Sequence, residues 1–66
     1  MNATVNGSPR ELHAGITLGG LLAELGLAPD GIAVAVNGRV VPRRTFSEHA
    51  LRDGDTVEII RAVAGG

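Results

Sequence analysis

A small α+β domain, with a mixed sheet of about five strands and one main helix packed on one face, is the fold class this sequence predicts. Three observations predict it. Two Asn-Gly pairs, Asn6-Gly7 and Asn37-Gly38, each sit between short β-prone runs, and Asn-Gly is the strongest local signal for a tight hairpin. Leucines at helical spacing mark Leu18 to Leu25. A final run, "TVEIIR", is a strand by composition.

The first hairpin is expected from "ATVNGSPREL". Asn2–Val5 is predicted as its first strand and Arg10–His13 as its second, with Ser8-Pro9 lengthening the loop and Val5 and Leu12 reaching the core. The helix follows in "GITLGGLLAELGLAPDG". Thr17 suits the N-cap, where a side-chain oxygen accepts a bond from an otherwise unpaired backbone N–H. Leu18, Leu21, Leu22 and Leu25 fall at i, i+3, i+4 and i+7, a single apolar stripe. Gly26 is placed for the left-handed C′ position, and Pro29 prevents a restart. Gly19 and Gly20 each weaken the helix by about 1 kcal/mol relative to Ala, so its stability must come from packing the stripe on a sheet.

The second hairpin is "IAVAVNGRVVP", with Val34 and Val36 before the turn and Val40 and Val41 after it. Pro42 cannot donate to a ladder, so the returning strand ends there or lies at an edge. In "RRTFSEHALRDGD" one short turn is expected, capped by Thr45 and containing Phe46 and His49, with Phe46 a core plug and Leu51 tucked inward; Asp53-Gly54-Asp55 makes a tight turn. Thr56–Arg61 closes the chain as a strand. Val57 and Ile59 share one face of it, and Thr56, Glu58 and Ile60 share the other. Glu58 favours water, so the Val57/Ile59 face is the buried one and Ile60 is exposed.

The resulting order is strand, strand, helix, strand, strand, short turn, strand. Periodicity supports only "small α+β"; the element order points to the β-grasp, or ubiquitin-like, arrangement. Residues 1–61 are read as this domain and residues 62–66 as a flexible C-terminal tail ending Gly-Gly.

Composition excludes several classes of function. A chain of 66 residues buries only about 60% of its unfolded surface and has little room for an enclosed active site. Six Arg against seven acids give a formal net charge of −1, and Phe46 is the sole aromatic residue, so the basic surface and stacking platforms of a nucleic-acid binder are missing. There is no cysteine, hence no disulfide, thiolate metal site or thiol nucleophile. No lysine is present either, which removes isopeptide linkage to a second copy. The start of the chain lacks a secretion signal, and no apolar run approaches a membrane span. The expectation is a soluble cytoplasmic protein, a monomer when free.

No catalytic constellation is legible. His13 and His49 have no partner at metal-ligand spacing, Leu18-Gly19-Gly20 is not a phosphate-binding loop and no Lys is present to serve one, and neither Ser8 nor Ser47 sits in a nucleophile elbow. What remains is "RAVAGG". A chain of average composition ends Gly-Gly roughly 0.5% of the time, and here the pair follows directly on the last strand. A C-terminal carboxylate is ionised at neutral pH and is a poor acyl donor until activated, for example by adenylation. An activating enzyme must hold that end in a narrow channel beside Mg²⁺-ATP, which side chains would obstruct. Ala62 to Gly66, extended, reach about 17 Å from the domain. A rigid body with a thin arm suits a carrier that delivers its terminus to successive active sites.

The residues that carry a family likeness are "VNGRVVPR" at Val36–Arg43, "LRDGDTVEII" at Leu51–Ile60 and the terminal "AVAGG". Together with the chain length they resemble the ThiS family, sulfur carriers of thiamin biosynthesis, over essentially the whole chain. The Asp53-Gly54-Asp55 turn and the Gly-Gly end also occur in the related MoaD proteins of molybdopterin synthesis. The resemblance implies a protein cosubstrate rather than an enzyme, binding no cofactor itself. Gly66 would be adenylated by a ThiF-like adenylyltransferase that binds the ATP and Mg²⁺. Sulfur from cysteine, through a cysteine desulfurase, would make a thiocarboxylate, to be passed to a ThiG-like thiazole synthase. Gly65, Ala64, Val63 and Ala62 would thread the partners' channels, and Ile60 is added as a possible docking contact. The alternatives are a MoaD-like carrier for molybdopterin and a ubiquitin-like protein modifier.

Overall fold

Both Asn-Gly pairs form two-residue turns with positive φ at each central position: 50° and 81° at Asn6 and Gly7, 52° and 82° at Asn37 and Gly38. This is the type I′ geometry whose twist matches that of paired strands. In the computed structural model, which describes residues 1–61, the first turn joins β1 (Asn2–Val5) to β2 (Ser8–Glu11), and the second joins β3 (Ile32–Val36) to β4 (Arg39–Val41). The last strand, β5, is Thr56–Arg61. The helix α1, Leu18–Glu24, and a 3₁₀ turn at Arg43–Thr45 complete the chain.

The strands form one five-stranded sheet in the order β2-β1-β5-β3-β4. β5 lies at its centre, parallel to β1 and antiparallel to β3. The sheet is therefore mixed, with one main helix on one face, as the element order predicts.

The second strand begins two residues earlier than the sequence suggests. Ser8-Pro9 does not lengthen the loop: Val5 pairs with Ser8, and Thr4 with Pro9. The Met1 amino group donates to the Leu12 carbonyl at 2.8 Å, and Leu12 N–H donates to the Met1 carbonyl at 2.7 Å. Counting from that bonded pair, the alternation of an antiparallel ladder makes Thr4–Pro9 a pair that exchanges no bonds. The proline nitrogen thus points away from β1, on the outer edge of the sheet, where a missing donor costs nothing and discourages further pairing.

The helix forms where its signals put it. The Thr17 hydroxyl accepts from Gly20 N–H at 3.1 Å. At the other end Gly26 takes φ +72°. Gly26 N–H donates to the Ala23 carbonyl and Leu27 N–H to that of Leu22, a Schellman closure of two otherwise unpaired carbonyls. Leu18, Leu21 and Leu22 are buried, and Leu25 packs at the core margin. They meet Ala3, Val5, Val34, Val36 and Val57 from the sheet, with Leu12, Phe46 and Leu51 filling the ends.

The Thr45 side chain does not cap the turn expected after it. The 3₁₀ turn starts earlier, at Arg43, because Pro42 sets the entry, and the Thr45 hydroxyl donates back to the Pro42 carbonyl at 2.8 Å. The Thr45 carbonyl then accepts from Glu48 and His49 N–H, so one more turn follows and carries the chain to Leu51.

Candidate functional site

β5 is the element through which the fold reaches the terminal segment. Its inward side chains fix it in place: Val57 is fully buried and Ile59 half-buried. Its outward side chains, Thr56, Glu58 and Ile60, are exposed. Ile60, exposed as the alternation predicts, has 61% of its surface accessible.

The register shows what surrounds it. Ala33 lies opposite Ile60, and Ala35 lies opposite both Glu58 and Val40. Directly opposed residues share a face, so Ile60, Ala33, Ala35 and Val40 form an apolar strip on the face of the sheet away from the helix. Val40 is 76% exposed. Val40 and Ile60 are the exposed large hydrophobic residues among the described residues, and both belong to this strip.

Val40 is one of the hairpin's valines in the sequence, with no face assigned to it above. The signal was available. A two-residue turn at Asn37-Gly38 pairs Val36 with Arg39 and Val34 with Val41, which leaves Val40 pointing outward.

Polar groups hold β5 at both ends. At its start Asp55, only 9% exposed, accepts from Asn37 Nδ2 at 2.9 Å and from Arg52 N–H at 2.8 Å. Asn37 Oδ1 accepts from Thr56 N–H at 2.9 Å. Further along, Asn6 Oδ1 accepts from Ile59 N–H at 2.7 Å. The tight Asp53-Gly54-Asp55 turn is also tied down: Asp53 Oδ1 accepts from Asn2 N–H at 2.7 Å, and Gly54 N–H donates to the Asn2 carbonyl.

The remaining polar candidates stay apart. His13 Nδ1 lies 3.5 Å from Glu24 Oε2 in an exposed pair, while His49 lends its backbone to Leu18 and Thr45. Among the described residues no group of three or more His, Cys, Asp or Glu is placed to hold a metal ion, and no helix is long and apolar enough to cross a membrane. An open groove between α1 and the 3₁₀ turn, floored by Leu22, Leu27 and Phe46, has Arg43 and Arg44 as its ionisable residues. Arg43 is paired with Asp30 at 2.8 Å. The groove's one hydroxyl, on Ser47, has no His, Asp, Glu or Lys in the lining to activate it, so no acid–base pair or activated nucleophile is assembled there. The terminal residues expected to do the chemistry, Ala62, Val63, Ala64, Gly65 and Gly66, lie outside the described residues.

The family model described as "ThiS family" matches residues 3–66. The chain belongs to the ThiS family. It is 33% identical over 66 residues to the sulfur carrier protein ThiS of Escherichia coli (strain K12), covering 100% of both chains. It is also 41% identical over its whole length to a thiazole synthase of Magnetococcus marinus, but spans only 20% of that protein. The crystal structure of the thiamine biosynthesis protein ThiS from Geobacter metallireducens superposes with a TM-score of 0.85 at 35% identity, covering 100% of both chains. The ThiS relationship thus takes in every strand, the helix and the segment beyond Arg61.

Proposed function

We propose that this member of the ThiS family is a sulfur carrier for thiamin biosynthesis, with the carboxyl carbon of Gly66 as its working atom. The observation that carries the reading is the end-to-end match, over all 66 residues, with a curated sulfur carrier. The fold supports it physically. β5 is the central strand of the sheet and runs without a break to Arg61, so the residues that precede the terminal segment belong to the sheet itself.

The chemistry follows from that terminus. A Gly66 carboxylate oxygen attacks the α-phosphorus of Mg²⁺-ATP in a ThiF-like adenylyltransferase, and pyrophosphate leaves. The acyl adenylate then has a good leaving group. A persulfide, supplied in the cell from cysteine through a desulfurase, displaces AMP to give an acyl disulfide, and a thiol then reduces that S–S bond to leave the thiocarboxylate. A ThiG-like thiazole synthase consumes that sulfur. A thiazole synthase that contains a segment 41% identical to this whole chain supports that choice of acceptor. In this scheme Ala62–Gly65 occupy the partners' channels, and the strip of Ile60 and Val40 is the docking surface. The chain itself is a cosubstrate of cytoplasmic enzymes.

Genetic rescue tests the pathway. Expressed in a thiamin auxotroph lacking its own sulfur carrier, the chain restores growth without added thiamin, and it leaves a molybdenum-cofactor carrier mutant unrescued. Rescue of the second strain alone would assign it to molybdopterin synthesis. Thiol-resistant conjugates that depend on Gly66 would make it a protein modifier.

A further inference from the structure

We infer that Asn6 is a positioning residue for sulfur transfer: its side-chain oxygen holds the outer end of β5 where the first hairpin has turned away. The inference rests on the carrier reading above and adds to it a residue far from the terminus in sequence. The parallel ladder between β1 and β5 runs through Thr4 N–H to the Asp55 carbonyl and Asn6 N–H to the Val57 carbonyl, both at 2.9 Å. Continued regularly, the next bond would run from Ile59 N–H to the main-chain carbonyl of Asn6. With φ of 50° at Asn6, the backbone has left the strand path. The side-chain Oδ1 takes the place of that carbonyl, at 2.7 Å, and adds one rung to a ladder whose backbone has ended.

That rung matters because of where it lies. Beyond Ile59, β5 is paired on one side only, with β3 through Ala33–Ile60 and Ile32–Arg61. On the other side the first hairpin contributes the Asn6 side chain and nothing further among the described residues. Among the described residues, the placement of Ile60 and Arg61 is therefore set by β3 and by this one amide. A partner that must grip Ile60 while receiving Gly66 benefits when those residues are ordered beforehand, since ordering them on binding weakens association.

The turn chemistry supplies a clean test. Asn6→Gly keeps a residue suited to positive φ and so preserves the turn, but removes the acceptor. Asn6→Asp retains an acceptor oxygen at the same reach. Amide exchange and steady-state adenylation kinetics are measured on the full chain, using a ThiF-like enzyme, Mg²⁺-ATP and sulfide. In Asn6→Gly the Ile59 amide is expected to exchange roughly tenfold faster, while amides of α1 keep their protection. The KM for the carrier is expected to rise about fivefold with kcat little changed, and Asn6→Asp should restore both values to within about twofold of the parent. Unchanged Ile59 exchange in Asn6→Gly, or an unchanged KM, would overturn the inference. If the parent chain forms no thiocarboxylate, the carrier reading fails and the delivery role falls with it, whereas the exchange result still decides whether Asn6 holds the strand.

Discussion

The two ends of β5 are built differently. Its start is enclosed: Thr56 is held by Asn37 on the β3 side, Asp55 receives two hydrogen bonds beside it, and Val57 is fully buried between sheet and helix. Its outer end is half-open, with β3 along one side, the Asn6 amide at one point on the other, and Ile60 facing solvent. Both ends use the same device, a turn asparagine whose side chain takes over from its own main-chain carbonyl. At the start that device extends the β3–β5 ladder, and at the outer end it braces β5 just before Ile60 and Arg61. One strand is thus braced on both sides at its start and mainly on one side at its outer end.

Substitutions along the strand break or sharpen this division. Deleting Gly66 is expected to abolish thiocarboxylate formation while leaving the melting temperature within about 1 °C of the parent, because substitutions away from packed features change stability little; calorimetry and product mass check the two halves. Val57→Ala removes buried methyl groups at the strand's enclosed start and is expected to cost about 2–3 kcal/mol, a fall of roughly 10–20 °C in a domain of this size. The same variant, assayed at low temperature where it is folded, keeps a parental KM for the adenylating enzyme. Asp55→Ala strips acceptors from Asn37 and Arg52 and is expected to cost about 2 kcal/mol, measured by urea unfolding. Ile60→Ala has the opposite signature: stability within about 0.5 kcal/mol, and a KM for the partner raised several-fold, consistent with a loss of about 1 kcal/mol at a docking contact. A large loss of stability in Ile60→Ala, or a raised KM in Val57→Ala, would erase the distinction between the two ends.

Much of this was legible in the residues. The helix carried its own start, stripe and stop in Thr17, the four leucines and Gly26, and the Asn-Gly pairs named both turns. The inward and outward faces of β5 followed from Glu58 alone. Two features were harder to read, for different physical reasons. Ser8-Pro9 looks like loop because proline usually interrupts a ladder; it is strand here because β2 is an edge and the pair with Thr4 needs no N–H from it. The polar bracing of β5 joins residues far apart in sequence, Asn6 with Ile59 and Asn37 with Thr56 and Asp55. Local propensity carries no information about such pairings, which exist only once β5 has inserted between the two hairpins. Of the proposed site, Ile60 was legible from strand alternation, whereas Val40 needed the register of the second turn.

In the proposed function Gly66 carries the sulfur. Intact-mass spectrometry tests it most directly, on the full chain before and after incubation with a ThiF-like adenylyltransferase, Mg²⁺-ATP and sulfide. The starting mass establishes whether the mature chain ends at Gly66. The expected product is heavier by one oxygen-to-sulfur exchange, with fragment ions that localise the change to Gly66. An unchanged mass, with an enzyme active on another ThiS protein, or a sulfur located anywhere else in the chain, would contradict it.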